Sequence, residues 1–279
     1  MPRELSAEPV TGAVAAHGEG PVWHPDFAGV RWVDLLAGDI LELDGTAVRR
    51  VHVGTVAAAL RPRARGGLVV ADERGFLLLD ADLAVERRLG ELWSDPGVRM
   101  NDGGCLPDGA FLCGSMAYDE RPGAGALYRL APDLTVSTVL TGVTISNGLA
   151  AAPDGTRMYY VDTATGRVDV FDLVDGLPAN RRPAVAVDGH PDGLTVDAEG
   201  GIWVALWGGS AVHRYTPSGA LDTIVRLPVP QVTACTFGGP GLDRLYVTTS
   251  AHGCDDPLSG ALFAVDPGVC GLPVTGFAG

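Results

Sequence analysis

Residues 145–163 read Ile145-Ser-Asn-Gly-Leu-Ala-Ala-Ala-Pro-Asp-Gly-Thr-Arg-Met-Tyr-Tyr-Val-Asp-Thr163. A polar start at Asn147-Gly148 leads into a small apolar strand. A turn at Pro153-Asp154-Gly155 follows, then a second strand that ends on Asp162-Thr163. The same pattern recurs at 25–34, 64–72, 107–114, 197–206 and 241–249. Its turn positions are Asp26, Arg65, Asp108, Asp154, Glu199 and Asp243, separated by 39, 43, 46, 45 and 44 residues. A period of that length built from short strands marks a β-propeller, and six turns predict six blades. One blade cannot bury its own faces, so all six are needed to close a ring and residues 1–279 are expected to form a single domain.

Composition narrows the function. Hydrophobic residues make up 46% of the chain and charged residues 19%, enough apolar surface for a full core. Arg supplies every basic side chain, and the net charge of −14 repels nucleic acid and anionic membrane alike. No apolar run approaches the roughly 18 residues of a spanning helix. The N-terminal stretch Met1-Pro-Arg-Glu-Leu-Ser-Ala-Glu-Pro9 lacks an apolar signal core. Cysteines 105, 113, 235, 254 and 270 form an odd set that reads as reduced thiols of a cytoplasmic protein. Cys105 and Cys113 flank one hairpin turn, and small buried strand residues are the plain reading of both. A monomer or weak homo-oligomer is expected.

Four antiparallel strands per unit, bounded by Gly, Pro and Asp, account for the blades. The first strand of blade 2 is expected over 55–60. Blade 6 shows only three strands, so its fourth must come from the C-terminal tail or from the N-terminal segment near 10–14. Strand direction puts the start of each innermost strand and each second-to-third-strand loop at one end of the ring. Those loops are long in blade 3 (115–124) and blade 6 (250–260). Long loops on a rigid scaffold are where binding concentrates, so that end is the expected working face.

Counting back seven residues from the turn positions gives Glu19, Asn101, Asn147 and Asp192, with Ala58 and Thr236 in the other two blades. Four blades thus aim a carboxylate or carboxamide at the axis at one height. Singly, Asn-Gly and Asp-Gly are turn signals. Together they place oxygens in a narrow channel, where they repel unless a cation lies between them. Glu19 and Asp192 balance a divalent ion and Asn147 adds a neutral oxygen. An all-oxygen set suits Ca²⁺, Mg²⁺ or Mn²⁺, with Zn²⁺ open as an alternative. The glycines beside these residues let strands crowd round the axis.

These stretches resemble the senescence-marker-protein/gluconolactonase family, which includes regucalcin. The resemblance is carried by Gly18-Glu-Gly-Pro-Val-Trp23, Trp32-Val-Asp34, Arg99-Met-Asn-Asp-Gly103, Gly114-Ser-Met116, Gly125-Ala-Leu-Tyr-Arg129, Ser146-Asn-Gly-Leu149, Pro191-Asp-Gly-Leu194, Phe237-Gly-Gly239 and Leu245-Tyr-Val-Thr-Thr249. The resemblance implies a six-bladed propeller and a metal-dependent hydrolase, in many members a sugar lactonase. It implies Glu19, Asn147 and Asp192 as metal ligands and Asp192 as the catalytic acid/base. It further implies Arg99 and Asn101 as substrate-binding residues, with an acidic partner after Ser115-Met116: Asp119 by spacing, with Glu120 next to it. The family usually has Gly-Thr-Met where this chain has Gly-Ser-Met, and Tyr118 and Arg121-Pro122 in the same loop leave the substrate open.

The expected chemistry is opening of an aldonolactone by water, the ion polarising the carbonyl and Asp192 taking the proton. A carboxylate that holds an ion is a weak base, so hydroxide generated at the ion stays open as the alternative. Ester or organophosphate hydrolysis on the same scaffold is a second reading, and a non-catalytic calcium-binding propeller a third. Of the six histidines, His190 and His252 could reach the mouth, although solvent or packing roles are the simpler expectation. Trp207 is a candidate to stack on a sugar ring; Trp23, Trp203 and Tyr246 read as blade packing. No Ser-His-Asp order, phosphate-binding Gly loop or Cys-x-x-Cys pair is present.

Overall fold

The computed structural model describes residues 1–279 and is a six-bladed β-propeller. Blade 4 shows the plan: Ser146–Ala151, Arg157–Asp162, Arg167–Val174 and Leu177–Ala186 run antiparallel from the axis outward. The outer strand is mostly exposed and carries Asn180, Arg181 and Arg182 at its centre, while the second strand is almost wholly buried between neighbouring blades and the third is buried over its first half. The largest apolar cluster joins blades 1, 2 and 3, and includes Leu60, Val69, Phe76 and Phe111.

The Asp that ends the second strand has a mechanical role. Asp162 accepts the backbone N–H groups of Thr144 and Ile145 at 3.1 and 3.0 Å. Asp34 accepts those of Ala16 and His17 at 3.0 and 2.9 Å. Each carboxylate therefore clamps the segment that leads into its own blade's innermost strand, where backbone groups would otherwise lack partners.

The N-terminal segment, one of the two expected sources, closes blade 6: Glu8–Pro9 runs antiparallel to Phe263–Val265, and the N–H groups of Val10 and Val14 continue the contact to Leu262 and Gly260. Arg3–Ser6 adds a fifth strand to blade 5, parallel to Leu221–Arg226. The N-terminal segment thus bridges two blades. The C-terminal tail crosses the opposite end of the ring, where Gly271 pairs with Asp197 and Phe277 with Arg63. The first strand of blade 2 is Ala59–Pro62, later than 55–60, because 55–58 forms the approach and only Ala58 reaches the ladder, through its N–H to Ala71. Cys105, Cys113 and Cys235 are buried strand residues. No helix is long and apolar enough to cross a membrane.

Candidate active site

Glu19, Asn101, Asn147 and Asp192 each stand four residues before the end of their blade's innermost strand. By the same position blades 2 and 6 contribute Ala58 and Ala234. Thr236, expected there from Asp243, lies two residues further along and faces a separate cavity at the other end of the channel, beside Trp23 and Arg61. The turn of blade 6 has the ordinary length, but its acid comes two residues late, with Gly241 at the usual place.

Asn101, Asn147 and Asp192 lie inside β-bulges, and Glu19, paired with Val33, stands at the edge of a fourth. Pairing with the second strand slips between Glu19 and Val22, between Met100 and Gly103, between Ser146 and Leu149, and between Pro191 and Leu194. A bulge turns its extra residue out of the pleat, here toward the axis. The glycine after each ligand candidate belongs to the same device. A Cβ on Gly148 would run into the backbone of Gly193 and Leu194, and one on Gly193 into Ala234.

The four side chains line one cavity of about 410 Å³ at the end carrying the second-to-third-strand loops. Arg99, Glu120, Trp207, His190 and His252 line it too. Asp119 does not: it accepts from the Arg121 backbone and guanidinium at 3.3 and 3.1 Å and is exposed. Glu120, at φ 56°, is the loop acid placed at the cavity. Arg99 is buried under the Tyr118 ring, 5.6 Å from its centroid, and the Tyr118 hydroxyl donates to Glu73 at 2.7 Å.

Buried carboxylates dominate the electrostatics of this cavity. Asp192 Oδ1 is buried and has no hydrogen-bond partner. Burial, then the Glu19 and Asp102 charges, push the Asp192 carboxyl well above the usual carboxylate range. Burial, then Asp102, push Glu19 up to about 8. Asp102 is raised as well, burial outweighing the attraction of Arg61. An orphaned oxygen among repelling carboxylates fits a hard divalent ion held by oxygen donors. No three His, Cys, Asp or Glu side chains gather to bind a metal ion, so the carboxamide of Asn147 would complete the set.

Sequence reasoning passed over Thr163, His17, Leu36 and Ile145 among the lining residues. Thr163 receives a hydrogen bond from Asn147 Nδ2 at 2.7 Å. His17 meets the Ser250 hydroxyl at 2.8 Å and packs against Trp207 and His252, with centroids 5.8 and 6.4 Å away. Leu36 reaches the rim from the first-blade loop. Thr163 and Leu36 carry no mark of their own beyond standing in those loops. His17 is adjacent to the Gly18-Glu19 motif, which is the signal that could have found it.

A family model described as the SMP-30/gluconolactonase/LRE-like region matches residues 17–251. Regucalcin of Xenopus laevis is 34% identical, covering 94% of this chain and 95% of that protein. The pentonolactonase XacC of Haloferax volcanii is 36% identical, covering 92% of each. Among solved structures, a calcium-binding regucalcin of Agrobacterium tumefaciens superposes with a TM-score of 0.92 at 29% identity, covering 99% of both chains. A luciferin-regenerating enzyme superposes with a TM-score of 0.89 at 30% identity, covering 98% of this chain and 99% of that one.

Proposed function

This chain belongs to the SMP-30/gluconolactonase/LRE-like family, and on that premise we propose that it hydrolyses a sugar lactone with the help of one divalent cation held by Glu19, Asn147 and Asp192. The observation that carries the reading is the buried, unpartnered Oδ1 of Asp192 beside a second buried carboxylate on a 410 Å³ cavity. The pentonolactonase relative supports the lactone as substrate class.

A divalent cation at this site supplies Lewis acidity toward the lactone carbonyl. Asp192 holds and moves the proton: water adds to the carbonyl carbon, its proton passes to Asp192, and the ring oxygen takes that proton as the C–O bond breaks. Arg99 and Glu120 bind the substrate's hydroxyls, the guanidinium as donor and the carboxylate as acceptor. Asn101 offers them only an oxygen, since both its amide protons are given to Ser146 and Asn147. Burial of the ring residues keeps competing water away from these contacts.

The test is a pH-indicator assay of several aldonolactones with chelated protein titrated with Ca²⁺, Mg²⁺, Mn²⁺ and Zn²⁺. Cation-dependent acid release is expected with at least one lactone. Cation binding without turnover of any lactone would sink the enzyme reading in favour of a calcium-binding propeller, which the calcium-binding relative supports.

A further inference from the structure

A chain of hydrogen bonds crosses blades 3, 4 and 5, and chemistry fixes its direction at both ends. Arg99 can only donate, and its Nη1 donates to Asn101 Oδ1 at 2.6 Å. The Pro191 carbonyl can only accept, and it accepts the Thr163 hydroxyl at 2.7 Å. Between these ends Asn101 Nδ2 donates to the Ser146 carbonyl at 2.8 Å and to Asn147 Oδ1 at 2.9 Å. Asn147 Nδ2 donates to Thr163 Oγ1 at 2.7 Å.

The proton count leaves one arrangement. A hydroxyl has one proton, and Thr163 gives its proton to Pro191, so toward Asn147 it can only accept. The Asn147 nitrogen must then face Thr163 and its oxygen must face Asn101. Turning the amide over would set nitrogen against the Asn101 nitrogen and oxygen against an oxygen with no proton left to give. Two bonds would be lost at once. Thr163 is itself held: it opens the one-turn helix Thr163–Thr165, and its backbone N–H donates to Ile145 at 3.1 Å.

We propose that Thr163 is a positioning residue of the cation site. Its hydroxyl holds the Asn147 carboxamide oxygen toward the cavity and ties it to the backbone of Pro191, the neighbour of Asp192. One side chain thereby couples the neutral donor of blade 4 to the carboxylate donor of blade 5. Partners of this kind, acting through a ligand, typically change metal affinity 10- to 100-fold when removed. The inference rests on the cation reading given under Proposed function.

The experiment is calorimetric titration of the whole chain, chelated and dialysed, with Ca²⁺ and Mn²⁺ at pH 8. Thr163→Val and Thr163→Ala, which lack the hydroxyl, are expected to bind about 10- to 100-fold more weakly than wild type. Thr163→Ser, which keeps it, is expected to bind like wild type. Unfolding temperatures of the cation-free proteins identify any variant that fails to fold, and the alanine and valine variants stand in for each other. Wild-type affinity in a folded variant without the hydroxyl overturns the proposal, as does equal weakening in the serine variant. If wild type takes up neither ion, nor Mg²⁺ or Zn²⁺ in the same titration, the cation reading falls and takes this inference with it. If wild type binds and the valine and alanine variants match it, only the inference falls.

Discussion

Glu19 of blade 1 and Asp192 of blade 5 line the same cavity from innermost strands that are not neighbours, and the Glu19 charge raises the proton affinity of Asp192. Neither residue contacts the other in sequence. The closed ring brings them to one height, and burial then makes their charges costly unless a cation or a proton balances them.

That cost sets a pH dependence of the cation-free protein. Glu19 has an ordinary value of 4.5 and a folded value of about 8. Below 4.5 both the folded and the unfolded chain hold this proton. Between about 5 and 8 the unfolded chain has released it and the folded chain keeps it, so rising pH favours unfolding. Stability is fully present at the acid end of that window and is lost as pH rises through the folded value. In the presence of a chelator, Glu19→Gln should show a smaller fall in unfolding temperature from pH 5 to 8 than wild type. Parallel slopes for the two proteins would rule this out.

Asp192→Asn removes the negative charge and the proton acceptor while keeping the shape. Lactone turnover is expected to fall by roughly 10²- to 10⁴-fold, the range of general acid–base catalysis. Divalent-ion affinity should fall with it. Turnover within a few-fold of wild type in the pH-indicator assay would remove Asp192 from the reaction.

The two adjacent loop acids should separate cleanly. Glu120→Gln is expected to raise KM for an aldonolactone about tenfold, with a charged hydrogen bond to substrate weakened by some 1.4 kcal/mol. Asp119→Asn should leave KM within twofold, since Asp119 is exposed and engaged with Arg121. Steady-state kinetics on both variants decides; the reverse pattern would return the role to Asp119.

Gly148→Ala would place a methyl group inside the backbone of Gly193 and Leu194, next to Asp192. Backbone cannot yield as a flexible side chain does, and overpacking of this kind costs about 1–3 kcal/mol. Thermal unfolding of the cation-free protein should register it. An unchanged unfolding temperature would show that the strands do not crowd here.

His17 is held neutral. Burial, then the nearby Arg99 and His252 charges, lower its value to about 3. Its ring resonances are therefore expected to stay constant in an NMR titration from pH 5 to 8. A midpoint near 6.5 would show an open, hydrated imidazole.

The repeat made much of this molecule legible in advance. Six copies of a strand–turn–strand phrase carry the propeller, because each blade solves the same burial problem with the same turn residues. Four polar residues at one place in that phrase, Glu19, Asn101, Asn147 and Asp192, could be aligned by counting for the same reason. Counting failed where the chain left the phrase. In blade 6 the acid at Asp243 stands two residues beyond the usual turn position, and Ala234 rather than Thr236 takes the ring position.

Other features exist only once the ring is closed. The bulges in or beside which the four side chains stand depend on pairing between strands, which residue spacing does not record. Which of the adjacent acids Asp119 and Glu120 lines the cavity depends on the path of a loop in which Glu120 takes a left-handed backbone angle. The sealing of blade 6 by Glu8–Pro9, and the role proposed for Thr163, depend on partners from distant parts of the chain. The sequence alone therefore determined the repeating unit and the chemical types set on the axis, because both are local and periodic. Only the tertiary structure decided where each group points and which oxygens lack a partner, because those follow from contacts between blades.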